Sequence, residues 1–114
     1  MKLVIDRKVW LRGEGDAVSR LLRPEDQKMC CVGIYGKALG LPDKVLEDVT
    51  TATGWGGTTV WPDWVLEECH TLGKTTDIAE VYVTNDEMDF NDRERETRLT
   101  LLFAKHGVEV EFIN

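Results

Sequence analysis

The chain has little of what usually marks a functional class. Basic charge is not in excess: fourteen Lys and Arg against twenty-one Asp and Glu leave a formal net charge of −7, with an isoelectric point near 4.8. Non-specific binding to nucleic acid or to an anionic membrane needs basic surface, so neither is expected as a direct partner. Long hydrophobic runs are missing too. The longest nearly uncharged stretch is residues 29–40, broken only by Lys37, and a bilayer span needs roughly 20 apolar residues. The opening Met1-Lys2-Leu3-Val4-Ile5-Asp6-Arg7 reaches charge too early for a secretory signal.

Cysteine is scarce and is not arranged for metal. With three Cys and no secretory signal, the expectation is reduced thiols in a cytoplasm. Cys30-Cys31, Cys69-His70 and His106 show none of the C-x-x-C or H-x-x-x-H spacings that structural zinc sites use, so neither metal nor cofactor is expected. No local pattern pairs a Cys with a His as nucleophile and base, and no catalytic residue is assigned. Gly73-Lys74-Thr75 lacks the rest of a P-loop, because Glu68 stands where its first Gly belongs. Paired acids such as Glu67-Glu68 and Asp86-Glu87 read as solvated surface.

What is present is a modest core, with 42% hydrophobic residues in 114, enough for one domain over residues 1–114. Residues 29–40 read as a buried helix of about three turns. Gly33 and Gly36 are costly inside a helix, about 1 kcal/mol each relative to Ala, which points to close approach of another element. Gly40 followed by Pro42 reads as the helix stop.

Strands are expected at Lys2–Asp6 and at 108–113, where apolar and acidic residues alternate. The clearest helix opens at Asn91 or Asp92 and runs to about His106. Its core stripe is Leu99, Leu102, Phe103 and His106, with Arg95 one turn earlier. Short helices are expected over 42–49 and 63–70, a helical turn over 7–11 and a short strand over 17–23, while 78–84 fits either a helix or a strand. The fold class is α+β: a small two-layer domain whose antiparallel or mixed sheet includes the N- and C-terminal strands, with helices packed on one face.

Residues 50–61 form the least regular stretch, rich in Thr, Gly and Trp. Long loops of this kind are often functional. Gly56 and Gly57 beside Trp55 offer backbone N–H groups in nest-like turns, Thr58 and Thr59 add hydroxyls, and Trp55 and Trp61 can stack on a base or fill a partner's pocket. The bland alternative folds both Trp rings into the core. Arg93, Arg95 and Arg98 form the only basic cluster, interleaved with Glu94 and Glu96, and surface ion pairing is the ordinary explanation for it. The candidate partner- or ligand-binding residues are therefore Trp55, Gly56, Gly57, Thr58, Thr59, Trp61 and Arg93.

Several blocks also resemble a known group. Lys8-Val9-Trp10-Leu11-Arg12-Gly13, Lys28-Met29-Cys30-Cys31-Val32-Gly33, Asn85-Asp86, Arg93-Glu94 and the ending Leu102-Phe103-Ala104-Lys105-His106-Gly107-Val108-Glu109-Val110-Glu111-Phe112 look like a set of small proteins encoded by bacteriophages and prophages. The resemblance covers most of the chain, although residues 50–61 look peculiar to it. It transfers no catalytic residue. It implies a small soluble protein acting stoichiometrically on host machinery in an infected bacterial cytoplasm, by analogy with phage proteins that oppose host defence.

The expected function is thus a non-enzymatic, phage-type binding protein that inhibits a host protein, such as a defence component. The alternative is a sponge for a nucleotide-derived immune signal, with Trp55 or Trp61 stacked on the base. A small hydrolase is a second alternative. Four Trp in so short a chain also suggest a homo-oligomer, because aromatics concentrate at interfaces.

Overall fold

The computed structural model describes residues 1–15, 18–52, 60–67 and 75–114. The first element, β1 (Lys2–Asp6), pairs with the last, β2 (Glu109–Ile113), so that Leu3 lies opposite Val110 and Ile5 opposite Phe112. Between them come α1 (Cys31–Ala38), α2 (Asp43–Leu46), α3 (Asp63–Leu66), α4 (Asp77–Asp86) and α5 (Asp92–Ala104).

The terminal strands are neighbours, but the antiparallel or mixed sheet expected from the sequence is wrong. Among the described residues the sheet has two strands, and they run parallel. Alternation over 108–113 tells which face is wet and is silent on direction. Direction is decided by α5, which carries the chain about 18 Å, at roughly 1.5 Å per residue, back to the end where β1 begins. There Gly107 turns with φ +75° and the Glu109 N–H donates to Met1 O at 2.9 Å. Parallel strands need a crossover connection, and here that connection is nearly the whole molecule. Leu3 and Ile5 are buried on the helix side of the sheet, while Lys2 and Val4 are exposed.

The uncharged run 29–40 supplies α1, in which every residue from 31 to 36 is buried. Its glycines are there for close approach. A Cβ on Gly33 would overlap the Leu21 carbonyl, and one on Gly36 would lie 2.5 Å from Trp61 Cη2. Around this helix Tyr35, Trp64 and Phe103 meet edge-on or tilted, with ring centroids 5.4–6.0 Å apart. Trp64 also stacks on His106 at 4.1 Å. His106 Nε2 in turn lies 2.8 Å from Asp77 Oδ2, which ties the end of α5 to the start of α4.

Several local expectations change. The turn expected over 7–11 is confined to residues 7–9, closed by the Val9 N–H donating to Asp6 O at 3.1 Å; Trp10 then bridges Met29, and the Leu11 and Met29 N–H groups donate across that bridge. Of the strand expected over 17–23, Ala17 lies outside the described residues, and in 18–23 the paired residues are Leu22 with Glu47 and Arg23 with Lys28, isolated bridges rather than a strand. The helix expected over 42–49 is a single turn. That expected over 63–70 forms over Asp63–Leu66, and its last three positions lie outside the described residues. The ambiguous 78–84 segment is helical, N-capped by Thr76, whose hydroxyl accepts from the Ala79 N–H at 3.3 Å. Among the described residues no helix is long and apolar enough to cross a membrane.

Two buried polar side chains hold the corner between α4 and α5. Asn85 Oδ1 accepts from Trp10 Nε1 at 2.8 Å and from the Cys31 N–H at 3.1 Å, while its Nδ2 donates to Leu11 O at 3.0 Å and to Asp86 Oδ1 at 2.9 Å. Arg95, 2% exposed, shares the two protons of Nη1 among the carbonyls of Thr84, Asn85 and Glu87 and donates from Nη2 to that of Phe90. Its guanidinium thus caps the C-terminus of α4, where a cation suits both the orphan carbonyls and the helix dipole.

Candidate functional site

The sequence shows one stripe on α5, and the structure uses two. Arg95, Leu99, Leu102 and Phe103 are buried in the core. A second row, Arg93, Glu96, Thr97, Thr100, Leu101 and Ala104, follows the three- and four-residue steps that place side chains on one face. This row and β2 form the two walls of a groove. Its wider part, about 590 Å³, is lined by Arg7, Arg93, Thr97, Thr100, Leu101 and Phe112, among others. A narrower part of about 260 Å³ continues past Ala104 to Val108 and Val110, with Thr100 common to both.

The groove is mainly apolar. Leu101 is 63% exposed, and Val110 and Phe112 are half-buried on the β2 side. Such residues sit in water at a cost of about 25 cal/mol per Å² of apolar surface that a partner would cover. Thr97 and Thr100 add little polarity, since each hydroxyl donates to the carbonyl four residues earlier, at 2.9 and 2.8 Å. Phe112 forms the floor, 5.2 Å from the Trp10 ring and beneath the Arg7 guanidinium.

Charge is held at one end. Arg7 makes a two-point contact with Glu96 at 2.9 and 2.7 Å, and that bond raises the Arg7 pKa. Arg12 grips Asp92 in the same way and lowers its pKa. Arg93 lines this end and also the adjoining recess with Asn91 and Arg98. No carboxylate among the described residues pairs with it within 4.0 Å.

Of the residues singled out from sequence, Arg93 stands at this groove. Trp61 does not: it is 5% exposed and packs on Tyr35 and Gly36 of α1. Trp55, Gly56, Gly57, Thr58 and Thr59 lie outside the described residues. Trp10 is buried and Trp64 half-buried, so three of the four Trp serve the core. Sequence reasoning missed Leu101, Val110 and Phe112 as a site. The available signal was the uncharged set Thr97, Thr100, Leu101 and Ala104, lying off the core stripe of an otherwise heavily charged helix.

Cys69 lies outside the described residues, and the other two thiols are poorly placed for nucleophilic chemistry. Cys30 and Cys31 are buried, and burial pushes the Cys30 pKa up to about 12 and that of Cys31 well above its ordinary value; the nucleophile is the thiolate. Because the native state favours the protonated thiol, its contribution to stability is complete below the ordinary Cys value of 9.0 and is lost as pH rises toward about 12. Unfolding free energy, measured by denaturant titration, is expected to fall over that range, less steeply for Cys30→Ala. An equal slope in both proteins would contradict the assignment. The chain matches no protein-family model, no curated protein and no solved structure.

Proposed function

We propose that the protein is a non-enzymatic binding protein that takes up a protein partner along the α5–β2 groove. The observation that carries this reading is the solvent-facing apolar surface of Leu101, Val110 and Phe112, held between two rigid elements. A surface of this kind, rimmed by polar groups, suits protein association. The resemblance to phage-encoded proteins supplies the setting. The partner is a host protein of the bacterial cytoplasm, such as a defence component, and binding inhibits it.

Leu101→Asp provides the test, because the side chain is exposed and its replacement leaves the core intact. The wild-type chain is expected to retain a specific bacterial protein in affinity capture. The variant is expected to retain at least about tenfold less, equivalent to roughly 1.4 kcal/mol, with an unchanged Tm. No specific partner, or equal capture by both, counts against the groove. The nucleotide-sponge alternative keeps Arg93 for a phosphate but has Trp61 committed to the core. A rise in Tm with cyclic or ADP-ribose-type nucleotides would favour it.

A further inference from the structure

Resting on that reading, we infer that the partner enters as an extended segment, added as a third strand to the free edge of β2, with apolar residues facing the groove and basic residues on the opposite face. The first ground is backbone. The Glu109 N–H donates to Met1 O, and Arg7 N–H donates to Ile113 O, so the odd-numbered residues of β2 bond to β1. In a parallel ladder the alternate residues then aim their N–H and C=O groups away from the partner strand. Those of Val110 and Phe112 point to the outer edge, where no backbone group among the described residues receives them. Open edges of this kind are templates for pairing.

The second ground is the two faces of β2. Val110 and Phe112 line the groove, so an added strand would place every second side chain over them and against Leu101. Alternation puts the exposed Glu109 and Glu111 side chains on the opposite face, with Lys2 bound to Glu111 at 2.9 Å, and Glu109 also borders the narrow end of the groove. Basic residues at the intervening positions would lie beside these carboxylates, where cross-strand pairs of opposite charge are favourable and like charges are not. Arg93, without a carboxylate, is on the helix side of the groove, so the basic positions belong on the sheet face.

The same charges weigh against a second copy as the occupant. Two-fold antiparallel pairing centred on Val110 sets Glu109 against Glu111 of the mate, and pairing centred on Glu111 sets that residue against itself. Pairing centred on Phe112 leaves Glu109 beyond the overlap and still joins two chains of net charge −7.

The experiment uses the full chain and three capped octapeptides: alternating Lys-Val, alternating Glu-Val, and Lys-Val with every amide N-methylated, so that neither edge can pair. Binding is followed by amide hydrogen exchange read by NMR. The Lys-Val peptide is expected to slow exchange at Val110 and Phe112 by about tenfold or more. It should bind at least about tenfold tighter than the Glu-Val peptide, and N-methylation should abolish binding. Absence of Lys-Val binding at millimolar peptide, equal binding of the methylated form, or unchanged exchange at Val110 and Phe112 would overturn strand addition. A dimer joined through β2 would overturn it as well. If Leu101→Asp abolishes capture of a bacterial protein while that protein leaves Val110 and Phe112 exchange unchanged, the groove stands and the added strand alone fails.

Discussion

Asn85→Leu is expected to lower stability by roughly 3–9 kcal/mol, because it strands three buried groups that each cost about 1–3 kcal/mol when unpaired. Those groups are the Trp10 indole N–H, the Cys31 N–H and the Leu11 carbonyl. Leucine shares the branched outline of asparagine but is larger, so none of the loss comes from a cavity and overpacking adds to it. The effect is large against the total of about 5–15 kcal/mol typical of a domain. Denaturant titration followed by far-UV circular dichroism measures it. A loss below about 1 kcal/mol would mean that the network adds nothing beyond what water supplies to the unfolded chain. Asn85 links the segment around Trp10, the start of α1 and the end of α4, so its removal is expected to loosen all three together.

Arg95→Met is expected to cost about 3–5 kcal/mol, the range for breaking a buried charged network. The lost guanidinium serves four carbonyls, at 2.7–3.1 Å, and methionine can replace its bulk but none of its donors. Burial lowers the Arg95 pKa, yet a guanidinium remains charged throughout the ordinary pH range. Lysine keeps the charge without the planar fork, so Arg95→Lys should recover only part of the loss. Recovery to wild-type stability would show that charge alone matters. The consequence reaches the groove, because Arg95 sets the angle at which α5 leaves α4. Capture of a partner is expected to weaken in Arg95→Lys although residue 95 touches nothing in the groove, whereas Leu101→Asp acts at the surface with stability unchanged.

Asn85 and Arg95 also mark the limit of the sequence reading. In the sequence Arg95 stands both one turn before the core stripe and in a basic cluster with Arg93 and Arg98, for which surface ion pairing is the ordinary explanation. The three have separate fates. Arg98 lies over Phe90 and near Glu94, Arg93 faces the groove, and Arg95 is buried on carbonyls. Helical spacing places Arg95 one turn before Leu99 on the core stripe, and that spacing was the signal for its burial. Nothing in the sequence could supply its acceptors, since they are main-chain oxygens presented by the end of α4 and by Phe90 in the turn that follows.

The elements governed by local chemistry were legible. The N-terminal strand follows from three consecutive apolar residues, the C-terminal strand from alternation, α5 from Asn91 as its cap and its apolar stripe, the core position of Cys30 and Cys31 from the uncharged run, and the packing role of Gly33 and Gly36 from their cost inside a helix. Each depends on periodicity or on a side chain acting within a few residues of itself. The direction of β2, the commitment of Trp61 to α1, the polar corner at Asn85 and Arg95, and the groove depend on partners far apart in the chain. Trp10 reaches Asn85 across 75 positions and Arg7 reaches Glu96 across 89. A strand's pattern names its wet face but not its neighbour or its direction, and a helix's second face becomes a site only when another element comes to rest beside it. Those outcomes belong to the tertiary structure, because only closure of the chain brings the paired groups within bonding distance.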